Sequence, residues 1–83
     1  MKVLYFASLR QKIGKQEENV TPPDNVRDVA GLIDWLTTRG PEYAAAFENK
    51  KVVRAAIDQE HAKLDAALGR PHEVAFFPPV TGG

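Results

Sequence analysis

The apolar positions of this chain follow two different periods. Val3-Leu4-Tyr5-Phe6-Ala7 is a short apolar run rich in β-branched and aromatic residues, which predicts a buried first strand. Val26, Val29, Ile33 and Leu36 instead recur at helical spacing, with Ala30 and Leu32 widening the stripe. Asn25 is the expected N-cap of that helix, with Asp28 imitating a capping box, and Gly40-Pro41 is its stop. Inside it, Gly31 suggests a close approach to a sheet, and Trp35 beside the apolar stripe should be partly buried. Glu73 to Phe77 returns to a strand pattern, with Val74 and Phe76 pointing one way and Ala75 and Phe77 the other.

The stretches between these anchors complete the order. Ser8 to Ile13 forms a helical turn broken at Gly14, and polar Lys15 to Val20 is an outer strand on which Glu17-Glu18 is a solvated edge. Tyr43 to Phe47 is a short second helix and Val52 to Ile57 a third strand. Asp58 to His61 turns the chain into a short fourth strand over Ala62 to Asp65, and Ala66 to Pro71 is a loop. Strand, strand, helix, strand, short strand, strand gives a two-layer α+β domain. The intervening helix lets the first and last strands lie parallel at the sheet's centre. That is the β-grasp arrangement of ubiquitin-like proteins, a mixed sheet of four to five strands packed on one main helix.

The predicted body spans residues 1–77, and residues 78–83 form an extended, flexible tail. Pro78 and Pro79 lack an N–H and have fixed φ, so they end sheet pairing and stiffen the departure from the domain. Gly82 and Gly83 lack Cβ and fit a slot too narrow for any side chain. Six residues from Pro78 reach roughly 20 Å when extended, which holds a terminal carboxylate clear of the body.

Composition narrows the chemistry. Eighty-three residues support one core. Eleven basic and eleven acidic side chains cancel, and the longest basic run is Lys50-Lys51, so no nucleic-acid or anionic-membrane footprint is predicted. With no cysteine the sequence offers no disulfide, no thiolate metal site and no persulfide. His61 and His72 have no converging ligands, so no metal is predicted and both read as surface residues. Ser8 lacks a nucleophile-elbow context, and no glycine-rich loop precedes a Lys-Ser or Lys-Thr pair. The N-terminal apolar run is too short for a signal peptide, and no stretch approaches the roughly 18 apolar residues of a membrane span, so a cytoplasmic protein is expected. A carboxylate is a poor acylating agent until it is activated. Without its own phosphate cradle the chain would need a partner to bind ATP, which makes it a carrier and not a self-sufficient catalyst.

The opening Lys2-Val3-Leu4-Tyr5-Phe6-Ala7, the turn ending in Gly14, the Val-rich helix and above all Glu73-Val74-Ala75-Phe76-Phe77-Pro78-Pro79-Val80-Thr81-Gly82-Gly83 resemble the small subunit of molybdopterin synthase. That family comprises ubiquitin-like sulfur carriers of molybdenum-cofactor biosynthesis. The resemblance implies that an adenylating enzyme converts the Gly83 carboxylate to a glycyl adenylate and a sulfur donor protein turns it into a thiocarboxylate. It implies that Pro78, Pro79, Val80, Thr81 and Gly82 thread into the synthase large subunit, where the sulfur passes to a cyclic pterin phosphate. A heterotetramer is the implied assembly, with the catalytic groups on the large subunit, sulfur carried covalently on Gly83 and no cofactor bound by this chain. Phe77 is the expected body contact, and His61 occupies a position expected to be apolar and partner-facing. Arg70-Pro71-His72 departs from the family's Asp-Gly-Asp turn, and Asp58 stands where Asn is common. Two alternatives remain. One is a carrier for another pathway (thiamine or RNA thiolation) or a protein modifier, and the other is a non-catalytic binding module.

Overall fold

The computed structural model describes residues 1–79. Its elements run β1 (Lys2–Tyr5), α1 (Ala7–Ile13), β2 (Glu17–Asn19), α2 (Val29–Thr37), α3 (Pro41–Ala46), a 3₁₀ turn (Lys50–Val52), β3 (Arg54–Ile57), β4 (Glu60–Ala62) and β5 (Glu73–Phe77). The sheet order is β2-β1-β5-β3-β4. β1 and β5 pair in parallel at the centre, with Val3 beside Val74 and Tyr5 beside Phe76. The other three pairings are antiparallel.

Alternation then sorts the strand residues onto two faces. Val3, Tyr5, Val74, Phe76 and Ala55 are buried, as are Val29, Leu32, Ile33 and Leu36 of α2. These side chains form the core between sheet and helix, closed at one end by Leu9, Ile13, Tyr43 and Phe47. The expected β-grasp order and its central parallel pair are present.

Four local expectations need correction. α2 begins at Val29, with Asp28 as N-cap in place of Asn25, and its carboxylate accepts the Gly31 N–H at 2.6 Å. The following stretch explains the shift, because Leu64 and Ala66 carbonyls accept the Ala30 and Val29 N–H groups and satisfy helix-end donors that would otherwise be orphaned. Gly31 accordingly faces its own cap, since a Cβ there would lie 2.9 Å from Asp28 Oδ1, and no sheet approach is involved.

The third strand starts at Arg54, because Lys50–Val52 tightens into a 3₁₀ turn and leaves Val52 43% exposed. The fourth strand is Glu60–Ala62, not 62–65. Asp58 (φ 48) and Gln59 (φ 74) both adopt the left-handed region, which closes a two-residue hairpin and brings pairing back at Glu60. No glycine marks that turn, and the compensation is tertiary. Asp58 Oδ1 accepts the backbone N–H groups of His72 (2.9 Å) and Glu73 (3.0 Å). The unusual Arg70-Pro71-His72 loop is therefore tied directly to the hairpin.

Candidate functional site

β5 ends at the tail, so the sheet's most enclosed strand aims whatever follows Phe77. Pro78 and Pro79 are half-buried and form one wall of a groove of about 200 Å³, whose other walls include Leu9 and Lys12 of α1, Ala46 of α3 and Val52. The first two residues of the tail are thus seated on the body. Val80, Thr81, Gly82 and Gly83 lie outside the described residues.

The face of the sheet opposite the helix carries the predicted body contacts. Register places Leu4, Ala75, Ala56 and His61 in one row across β1, β5, β3 and β4, and Phe77 opposite Arg54 in the next. Phe77 is half-buried and His61 exposed, and their rings meet edge to face at 5.6 Å. The structure therefore brings the two together on the outer face, and Phe77 is not packed beneath a helix. Phe76 and Val74 face the core, as expected.

Sequence reasoning missed Phe6. It is 44% exposed, and its N–H donates to the Phe76 carbonyl at 3.1 Å, so its backbone stands beside the end of β5. The apolar run Val3 to Ala7 concealed it, because continuous hydrophobicity does not show where the strand stops. Ala7 at φ 53 is the break.

The second omission is Glu18. It was expected to be a solvated edge residue, but its side chain is only 12% exposed and turns inward from β2. Glu18 Oε2 accepts the Tyr43 hydroxyl at 2.6 Å and the Tyr5 hydroxyl at 2.8 Å, and Oε1 pairs with Arg39 at 3.1 Å and Lys15 at 3.4 Å. Arg39 also lies over the rings of Trp35 and Tyr43, at 5.3 and 5.5 Å, and Trp35 is half-buried as expected. The cluster joins β2, β1, α3 and the α2–α3 linker beside the core.

Burial opposes charge on Glu18, but the two phenol hydroxyls and the two cations outweigh it and hold its carboxyl below the usual range. Burial, and then the bond to Glu18, pushes both tyrosine hydroxyls upward. Because the folded-state value is lowered, the stabilisation is present above Glu18's unfolded pKa and is lost as pH falls through the folded one. Glu18→Gln is expected to cost about 1–3 kcal/mol at neutral pH. Urea unfolding at several pH values should show the gap to wild type narrowing on acidification, and parallel curves would refute the assignment.

Among the described residues no group of three His, Asp or Glu side chains is placed to hold a metal ion, and both histidines are exposed. No helix among them is long and apolar enough to cross a membrane.

A five-stranded mixed sheet grasping a helix, with its central strand leading out through two prolines, defines a ubiquitin-like β-grasp domain. The chain belongs to the ThiS family, whose match covers residues 3–83. Over its whole length it is 36% identical to the molybdopterin synthase sulfur carrier subunit of Escherichia coli and 35% identical to that of Haemophilus influenzae, covering 99% of each. The subunit of that name from Mycobacterium tuberculosis is 33% identical over 98% of this chain and 94% of its own. Among solved structures, small archaeal modifier protein 1 of Haloferax volcanii superposes with a TM-score of 0.72 at 25% identity, covering 96% of this chain and 97% of that one. A putative molybdopterin converting factor subunit 1 from Pyrococcus furiosus gives 0.65 at 28% identity, covering 95% of each.

Proposed function

We propose that this protein is the sulfur carrier of a molybdopterin synthase, working in the cytoplasm. The observation that carries the reading is the full-length likeness, at 33–36% identity, to subunits of that name. The fold supports it, because β5 sits at the sheet's centre and leads into Pro78 and Pro79 on a rigid base.

In this reading the Gly83 carboxylate attacks the α-phosphorus of ATP on an adenylating enzyme, and pyrophosphate leaves. A sulfur donor protein then delivers sulfur at the sulfide level, as hydrosulfide, which attacks the acyl carbon; the bond to AMP breaks, AMP leaves, and Gly83 carries a thiocarboxylate. Gly82, without a side chain, enters the large subunit with it, while Val80 and Thr81 line the approach. There the sulfur is transferred to a cyclic pterin phosphate, and two deliveries build the dithiolene. Phe77, His61 and Phe6 form the body contact with the large subunit, two of each subunit making the complex. This chain binds no cofactor and supplies neither general acid nor base.

Intact-mass spectrometry tests this directly. After incubation with the adenylating enzyme, ATP and a sulfur donor, the chain should gain the mass of one oxygen-to-sulfur exchange, localised to Gly83 by fragmentation. A chain extended by one residue after Gly83 should not. Exchange in the extended chain would sink the reading. The likeness to an archaeal modifier protein favours a second use of the same activated carboxylate, amide transfer to a lysine. That outcome would appear as a covalent protein adduct in place of the thiocarboxylate.

A further inference from the structure

The two edges of the sheet differ in how their charges are paired. On β2, Glu17 pairs with Lys2 and Glu18 with Arg39 and Lys15. Along β4 a groove of about 590 Å³ is rimmed by Lys51, Arg54, His61 and Lys63, over a floor that includes Val53 and Leu64. Asp65 is the one carboxylate in its lining. Among the described residues Lys51, Arg54 and Lys63 take part in no ion pair. The bond that Arg54 makes there, from Nη1 to the Lys51 carbonyl, is long at 3.5 Å.

Geometry ties this rim to the apolar docking face. Arg54 stands opposite Phe77 in the β3–β5 register, and His61 meets the Phe77 ring. The two-residue turn makes Ile57–Glu60 the hydrogen-bonded pair of the hairpin, so the next pair, Ala56–His61, is not bonded across. The His61 backbone N–H and C=O therefore face away from β3, along the free edge that the groove follows. Three cations against the single carboxylate Asp65 leave the groove with an excess of positive charge over its apolar floor, which favours an anionic partner.

We propose that this groove is the electrostatic half of the docking surface and receives an acidic segment of the protein that takes the tail. Phe77 and the outer face supply the apolar anchor, while Lys51, Arg54 and Lys63 select a partner bearing carboxylates at that edge. Rim charges of this kind act mainly on association rate and partner choice, and ionic strength screens them. A large subunit from another organism that lacks carboxylates at this edge should bind more weakly, although its tail channel fits. The inference rests on the sulfur-carrier reading for the identity of the partner.

The test is binding of the full chain to its cognate large subunit, by titration calorimetry and stopped-flow association, across roughly 50–300 mM salt. Arg54→Glu with Lys63→Glu should weaken binding at low salt by at least about tenfold, chiefly through slower association, and flatten the salt dependence. Thermal melts should match wild type, because both side chains are exposed and outside ion pairs. Affinity within about twofold of wild type, with Phe77→Ala still weakening the complex, would overturn the groove assignment and leave the carrier function intact. If wild type itself fails to bind the large subunit, the functional reading falls with it. Binding of an oligouridylate that the double variant loses, with large-subunit affinity unchanged, would assign the groove to nucleic acid and also overturn the proposal.

Discussion

Deletion of Gly83 is expected to abolish sulfur loading and pterin conversion completely while leaving the fold unmoved. The activated atom would be the terminal carbonyl carbon. Shortening the chain by one residue puts the Gly82 carboxylate about 3.5 Å short of the position that the enzymes' slots are built to meet. Misplacement on the scale of 1 Å already costs on the order of a hundredfold when chemistry depends on near-attack geometry. The stability side follows from the core, since every buried apolar side chain among the described residues lies at or before Phe76. Urea unfolding and calorimetry should agree with wild type within error, and the thiocarboxylate mass should be missing. An unfolded deletion variant would show that the terminus belongs to the domain's architecture, and retained transfer would show that the chemistry lies elsewhere.

How much of this was legible beforehand depends on the range of the interaction. The alternation in Glu73 to Phe77 put Phe76 inside and Phe77 outside, because a strand's side-chain period is a local property. Gly14, at φ 84, closes α1 where its missing Cβ said it should. Asp28 reads locally as the third residue of a capping box, but the carbonyls that take the helix's first N–H groups come from Leu64 and Ala66, more than thirty positions away. Glu18 escaped for the same reason, with its hydroxyl donors 13 and 25 residues distant. Glu17-Glu18 reads as two equivalent solvated acids, yet alternation turns one outward toward Lys2 and the other inward to two phenols. The hairpin at Asp58-Gln59 had no glycine to announce it. Its left-handed residues are held by bonds that Asp58 makes to the loop fourteen residues on. The candidate site divides likewise. The tail and Phe77 are visible as composition and period, whereas the exposure of Phe6 emerges only with the break after β1 at Ala7, and the cationic rim only when β3 and β4 are laid side by side.

Phe76→Ala should be the most damaging single substitution in the body. The ring is fully buried on the central strand and meets Phe47 edge to face at 5.3 Å. Truncation of a buried phenylalanine costs about 3–5 kcal/mol, as transfer free energy plus the cavity left behind. At roughly 0.05–0.15 kcal/mol per residue, a domain of this size has about 4–12 kcal/mol in total. The variant would therefore sit near its folding threshold, with its melting temperature lowered by about 4–8 °C for each kcal/mol lost. Phe77→Ala, one position on and facing outward, should cost less than about 1 kcal/mol in the free protein and show its effect in partner binding. The two neighbours thus separate the two jobs of β5. For Phe76→Ala, sulfur loading at a series of temperatures should follow the folded fraction measured by circular dichroism and recover on cooling, because the tail itself is untouched. For Phe77→Ala, stability and loading should stay near wild type while binding to the large subunit weakens. A Phe76→Ala protein within about 1 kcal/mol of wild type would mean that β5 is not the base the tail depends on, and the rigid-platform account would fail.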